Sequence, residues 1–484
     1  MAGHRAPRTN AAIIGLTLGA LFALVAAPPA RAIPTGPAVL AVYTVAAPRS
    51  TAVSGLVARA VLPGGLSCPT VDVRLMSGLD RRVPMTPRIP SASTEPAFTA
   101  ITVCSASLPP GATAASIDGR PIPASMPSAV RRLAMFGDSG CRIQEAWVQD
   151  CADPTSWPLA RIAHSVAAAD PDVILFTGDF FYRESACPPA NQEWCGTSPP
   201  PLANVPFTDS AYGWLADALV PLSPMLTTAP IVAMRGNHEA CSRAGNGYFL
   251  LFDPRADSVD TCAPTVIDGV LTAPAPVPTD SYAIDLPIAP GRTLRLAVVD
   301  SNGGNDVVVS PYADVQRPAY EQAARLTAPQ PGRESWLLTH RPLYGFFSTE
   351  FAVPGLPFSP WSSADQAAAA WGLLGHYDLV VSSHLHQVEA VQLPGLPGQL
   401  VIGNGGTALN PAGGYPLPTV GARAGKGRTY PAPEWAWTRS RFGFVLAEPA
   451  PEPGAWRLTT RDPEGHVFGR CGVRAREIFC RNAP

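Results

Sequence analysis

Residues 172–185 read DVILFTGDFFYRES. An apolar run leads into a Gly-Asp pair, two phenylalanines and then a tyrosine. A stretch such as VILF, with no polar alternation, suits a strand covered on both faces, and an aspartate at the end of a buried strand is a common metal ligand. Tyr182 reads either as an aromatic packed with Phe180 and Phe181 or as a donor beside Asp179. The rest of the chain decides between the two.

The same texture recurs from Arg131 onward, in LAMFGD, PIVAMRGNH, LRLAVVD, SWLLTH, DLVVSSH and LVIGNGG. Helical segments such as 157–169 and 364–374 are expected between these runs. Most of the runs end in a residue able to serve metal or phosphate chemistry. In layered α/β proteins the functional crevice lies beyond the carboxyl ends of the strands, so residues far apart in sequence would converge there. Residues 36–128 differ. Short alternating segments such as GLVARAVL and FTAITVCSASL, separated by Pro, Gly and Ser clusters, predict a small antiparallel β domain. FGFVLA and WRLTTRD, within 430–484, predict terminal strands closing the later domain.

The first 32 residues read as an export signal: Arg5 and Arg8, an apolar run from Ala11 to Ala27, and ARA at 30–32. The expected division is a signal at 1–32, a β-rich domain at 33–128 and a catalytic domain at 129–484, in a protein secreted or delivered to a periplasm. A polar, proline-rich continuation without a basic stop-transfer flank argues against a stable membrane span. Loss of Arg5, Arg8 and Arg31 moves the formal charge from −2 to −5, which argues against a nucleic-acid partner. The 56 prolines and 42 glycines, without a period, indicate long irregular connections. Ten cysteines fall as sequence-adjacent pairs, Cys68/Cys104, Cys141/Cys151, Cys187/Cys195, Cys241/Cys262 and Cys471/Cys480. Spacing does not fix connectivity, but local pairing is the simplest, and the lack of any CxxC disfavours zinc-thiolate sites.

Taken in order, Asp138 in GDSG, Asp179 in GDFFY, Asn237 and His238 in GNHE, His340 in LLTH, and His384 and His386 in SHLH resemble the motifs of the calcineurin-like metallophosphoesterases, over roughly residues 131–410. The GDxxY variant resembles that of the purple acid phosphatases. The resemblance implies an α/β fold, a layered β-sandwich catalytic domain, here preceded by a small all-β domain. It implies a dinuclear centre in which Asp179 bridges, Asp138, Tyr182 and His386 bind the first metal, and Asn237, His340 and His384 bind the second. His238 would be the catalytic proton or hydrogen-bond donor, oriented by Glu239. Two cations held so close clamp the attacking and leaving oxygens of a phosphoryl displacement and acidify a bound water. Carboxylate, amide, imidazole and phenolate donors favour iron, manganese or zinc.

Two departures stand out. Many metallophosphoesterases carry DxH at the first motif, whereas DSG puts Gly140 there and leaves the first metal one ligand short; Ser383 stands where glycine usually precedes HxH. Tyr182 as phenolate supplies a ligand, and a phenol with a pKa of about 10 is ionised at acidic pH only by a strongly Lewis-acidic partner. Fe(III) is therefore expected at the first site, with Fe, Zn or Mn at the second. Arg243 is a candidate phosphate clamp, as is Arg341; His164, His376 and His466 read as packing or surface, and Asp300 as structural. The expected activity is hydrolysis of small phosphate monoesters. A phosphodiesterase or nucleotidase on the same core, and a catalytically silent binding protein, are the alternatives.

Overall fold

The computed structural model describes residues 39–88, 95–144, 147–195, 209–255, 262, 265–267, 270–272, 278–346, 361–411 and 417–483. The expected signal segment lies outside them. Two large mixed sheets face each other. The first has eleven strands, in the order Glu477–Asn482, Val467–Arg474, Trp456–Arg461, Phe444–Pro449, Leu133–Phe136, Val173–Phe176, Ile231–Ala233, Ala41–Ala46, Leu56–Pro63, Ile101–Ser107 and Thr86–Arg88. The second has seven, in the order Tyr282–Ala289, Arg292–Val299, Arg333–Thr339, Leu379–Ser382, Gly398–Ile402, Val388–Gln392 and Trp435–Arg439.

Period-two alternation sorts the apolar side chains between layers. Leu133, Met135, Val173 and Leu175 point between the sheets, where they meet Leu294, Leu296, Trp336 and Leu338 of the second sheet. Their neighbours Ala134, Phe136, Ile174 and Phe176 point outward and are covered by helices Leu159–Ala168 and Gly245–Leu251. On the far side, Ala297, Val299 and Val380 pack against helices Tyr312–Leu326 and Ala364–Ala370. The result is helix, sheet, sheet, helix.

The central strands run parallel: Leu133–Phe136, Val173–Phe176 and Ile231–Ala233 in one sheet, and Arg292–Val299, Arg333–Thr339 and Leu379–Ser382 in the other. Their carboxyl ends therefore deliver Asp138, Asp179, Asn237, His340 and His384 toward one edge. Among the described residues, the N-terminal segment is all-β apart from one short helix, as its alternation predicts. Its strands divide. Thr70–Leu75, Asp80–Pro84, Ala112–Ile117 and Arg120–Ile122 make a separate four-stranded sheet. Ala41–Ala46 instead pairs in parallel with Ile231–Ala233, so the first large sheet runs across position 128.

Five disulfides join the sequence neighbours, Cys68–Cys104, Cys141–Cys151, Cys187–Cys195, Cys241–Cys262 and Cys471–Cys480. Three of them close loops that leave the edge carrying the strand-end residues. Among the described residues, no helix is long and apolar enough to cross a membrane.

Candidate metal centre

Asp138, Asp179 and His384 each leave their strand with a positive φ, 53°, 57° and 71°. Such a backbone costs a non-glycine residue about 1–3 kcal/mol and persists where the surroundings over-determine it. For Asp179, Glu239 does much of that. Its buried carboxylate accepts from four backbone amides, those of Asp179 (2.8 Å), Gly236 (2.9 Å), Phe180 (2.8 Å) and Phe181 (3.1 Å). Gly236 is a glycine of necessity, because a Cβ there would lie 2.1 Å from Asp179 Oδ1.

Two donor sets meet at Asp179. In the first, the Tyr182 hydroxyl lies 2.9 Å from Asp138 Oδ1, 2.7 Å from Asp179 Oδ2 and 3.0 Å from His386 Nε2. In the second, Asn237 Oδ1 lies 2.8 Å from His340 Nε2 and 2.7 Å from His384 Nδ1, and His340 Nε2 is 3.3 Å from Asp179 Oδ2. The outer nitrogens are anchored: His386 Nδ1 faces the Ala408 carbonyl at 2.9 Å, and His340 Nδ1 faces that of Thr177 at 2.9 Å. Donation through Nδ1 leaves each Nε2 with a lone pair aimed inward, the usual way to orient a metal-binding imidazole.

This donor set fits cations. The Tyr182 hydroxyl has one proton and three acceptors around it, and one proton satisfies one of them. Asn237 Oδ1 has two imidazole nitrogens within 2.8 Å, His340 Nε2 and His384 Nδ1. Asp179, His340 and His384 bring ligand atoms within 4.8 Å of one another. Burial, followed by the charges of Asp138 and Asp179, pushes the Tyr182 phenol well above its ordinary range, so only a strong Lewis acid would ionise it. Burial lowers His340 most, but Asp179, Asp138 and the Thr177 carbonyl together lift it to about 9, so a cation bound there would take the place of the Nε2 proton.

Residues 132–388, more than half the chain, match the family model of the calcineurin-like phosphoesterases. The chain belongs to that family. Among solved structures, its fold is similar to that of purple acid phosphatase PPD1 from yellow lupin (Lupinus luteus) seeds, with 13% identity and a TM-score of 0.50 over 91% of this chain and 74% of that one. It is also similar to PhoD, with 11% identity and a TM-score of 0.52 over 94% of each chain. At such identities the likeness is one of fold. No curated protein sequence matches the chain.

Around the metal centre of this calcineurin-like phosphoesterase, some expected partners change. His238 lies against Tyr182 with ring centroids 3.7 Å apart and ring planes tilted by 34°, and its Nε2 is 3.8 Å from Asp179 Oδ2. Glu239, expected to orient it, holds backbone amides instead. The residue beside His238 is Glu184, whose Oε1 is 2.9 Å from its Nδ1. Arg243, expected as a phosphate clamp, grips Glu184 through Nε and through Nη2 at 2.7 Å, and its Nη2 is 2.7 Å from His238 Nδ1. Arg341 pairs with Asp306 and lies 3.2 Å from His384 Nε2. Asp300 is structural as expected, bound to Arg235 and Thr279. Burial lowers His238 most; Asp179 and Glu184 raise it, Arg243 lowers it, and it ends at about 4.

Sequence reasoning passed over three further residues. Glu184 is the penultimate residue of the opening stretch, two beyond Tyr182, and reads there as an ordinary loop glutamate. Arg142 reaches to 3.3 Å from His386 Nδ1, with its guanidinium 5.6 Å from the centre of the Tyr182 ring. Asp217 accepts from the amides of Cys141 and Tyr182 and pairs with Arg183, tying the first two motif loops together. Nothing in its local sequence, WLADALV, marks it.

Proposed function

We propose that this chain is an exported dinuclear-metal phosphomonoesterase of the purple acid phosphatase type. The observation that carries the proposal is the double use of Asp179, whose Oδ2 faces the Tyr182 hydroxyl at 2.7 Å and His340 Nε2 at 3.3 Å. Asp138, Tyr182 and His386 would hold Fe(III) on one side, and Asn237, His340 and His384 would hold iron, zinc or manganese on the other. Such a pair, when bound, neutralises charge on the attacking and leaving oxygens and acidifies water.

The chain's own residues orient the rest. With a pKa of about 4, His238 is neutral above mildly acidic pH. Glu184 Oε1, 2.9 Å from Nδ1, and Arg243 Nη2, 2.7 Å from Nδ1 and 3.1 Å from Nε2, fix the ring beside Asp179, where a substrate oxygen would meet it. Glu184 holds Arg243 in that pose. A cavity of about 580 Å³ opens next to this pair, lined by Gln144, Phe181, Glu184, Ser185, Ser242 and Arg243 among others, with room for a small leaving group. Five disulfides are consistent with an oxidising destination.

Hydrolysis of p-nitrophenyl phosphate and bis-p-nitrophenyl phosphate, with and without chelator, tests the proposal. Chelator-sensitive turnover of the monoester in preference to the diester is expected. Preference for the diester would make the chain a phosphodiesterase. No turnover with two metals bound would make it a silent binding protein.

A further inference from the structure

Strands Trp456–Arg461, Val467–Arg474 and Glu477–Asn482 form one edge of the eleven-stranded sheet. Trp456, Leu458, Cys471, Val473 and Ile478 belong to the core between the sheets. Alternation turns Arg457, Thr459, Arg461, Arg470, Arg474 and Arg481 the other way. That is the side on which helix Leu159–Ala168 covers the inner strands, yet Arg457, Arg470, Arg474 and Arg481 stay exposed.

The register sets Arg470 directly opposite Arg481, and Arg457 opposite Gly472, which in turn faces Phe479. Like charges facing each other across a strand pair are destabilising. Two carboxylates offset part of this, Glu448 opposite Arg457 and Glu477 opposite Arg474. Among the described residues, however, Arg457, Arg470, Arg474 and Arg481 make no ion pair within 4.0 Å. Five arginines thus share one face of a chain whose formal net charge is −2. A cavity of about 750 Å³ lies among Arg457, Arg470, Arg481, Thr459 and Phe479, with Glu448 beside Arg457 as the one carboxylate in its lining.

We propose that this face docks a polysaccharide bearing phosphate or sulfate groups. The arginines occupy four successive levels two residues apart, in the order Arg461, Arg470 with Arg481, Arg457, Arg474. At about 6.7 Å per level they form a ladder roughly 20 Å long, which exceeds one phosphate and suits a chain of repeated anions. Guanidinium forks match phosphate and sulfate oxygens in pairs. A lipid surface fits less well, because Phe479, though 59% exposed, lies flat: a Cβ on Gly472 would be 2.3 Å from its ring. Single-stranded nucleic acid would call for successive aromatic platforms, and this face has one. The site is separate from the metal centre. In register Arg457 faces Glu448, one step beyond the pair Ala447–Leu133, at the end of Leu133–Phe136 opposite to the one that delivers Asp138; Arg461, at the other end of the ladder, faces Phe444 and is kept from Leu133–Phe136 by the intervening strand Phe444–Pro449.

Heparin serves as the probe, with binding to the full protein followed by calorimetry across a salt series. Wild type is expected to bind, and the triple variant Arg457→Gln, Arg470→Gln, Arg481→Gln to bind at least about tenfold more weakly, with a shallower salt dependence. Hydrolysis of p-nitrophenyl phosphate should be unchanged, and the melting temperature should be no lower than that of wild type, since the variant removes the facing Arg470–Arg481 pair. A control triple of equal charge, Arg49→Gln, Arg81→Gln, Arg423→Gln, should bind as wild type does. Failure of wild type to bind, equal weakening in the control, or tighter binding to phosphatidylglycerol vesicles or to oligothymidine than to heparin would each overturn the proposal.

Discussion

Glu239→Gln is a one-atom change whose consequence the geometry specifies. The carboxylate faces four backbone donors, with Oε2 taking the amides of Asp179 and Gly236, and Oε1 those of Phe180 and Phe181. Glutamine presents one oxygen and one NH2 group. In either orientation two buried amides face a donor instead of an acceptor. An unsatisfied buried donor costs about 1–3 kcal/mol, so the variant should lose roughly 2–6 kcal/mol, much of a domain's typical 5–15 kcal/mol. The slackened amides include that of Asp179, held at φ 57°, so metal retention should fall too. Denaturant unfolding and metal content per chain measure both. Unfolding within about 0.5 kcal/mol of wild type with both metals retained would refute the reasoning. If turnover alone fell, Glu239 would be acting on His238 rather than on the backbone.

His238→Ala should reduce turnover by about 10²–10⁴ with both metals still bound; loss of metal instead would make the residue a ligand. Tyr182→Phe should abolish the visible phenolate-to-iron band expected of the iron-loaded protein and weaken iron retention, whereas a colourless ferric wild type would return Tyr182 to packing. Glu389 gives a pH test. Burial pushes its carboxyl up from 4.5 to about 8, against hydrogen bonds from the Phe346 amide and Gln387 Nε2. A folded value above the unfolded one means stability is complete below pH 4.5 and is lost as the pH rises through 8, by up to a few kcal/mol. Glu389→Gln removes that loss, so its melting temperature relative to wild type should rise between pH 5 and pH 9; a difference independent of pH would exclude the buried titration.

The strand ends were legible because each announces itself locally: an apolar run, then GD, GNH, TH or SHLH. Parallel strands put those ends at one edge, so sequence order was enough to assemble Asp138, Asp179, Asn237, His340, His384 and His386. Residues that act through the backbone were not legible. Asp217 lies within the helical turns spanning Ala211–Leu219 and binds amides 35 and 76 positions away. Glu239 carried a local expectation, proximity to His238, and the fold spent it on four amides instead. The 15-residue helix Tyr312–Leu326 was also missed, since Pro318 interrupts a pattern otherwise long enough to read. Joining of Ala41–Ala46 to Ile231–Ala233 rests on a pairing between strands nearly two hundred residues apart, and alternation within either strand carries no sign of its partner.

Gly140 and Tyr182 are two sides of one packing arrangement. A Cβ at position 140 would stand 2.7 Å from Asp217 Oδ2, 2.7 Å from the Tyr182 amide and 2.8 Å from the Phe180 carbonyl. These atoms cannot retreat, because Asp217 Oδ2 accepts from the Tyr182 amide at 2.7 Å while its Oδ1 accepts from the Cys141 amide at 2.8 Å. The buried carboxylate thus draws the first two motif loops together, and the space a histidine side chain would need at position 140 is already closed. The same closeness carries the Tyr182 ring to Asp138, to which its hydroxyl bonds at 2.9 Å. Loss of the usual histidine and gain of the tyrosine therefore follow from a single contact between loops. In the proposed centre the Tyr182 phenol would then take the place that the DxH motif gives to an imidazole.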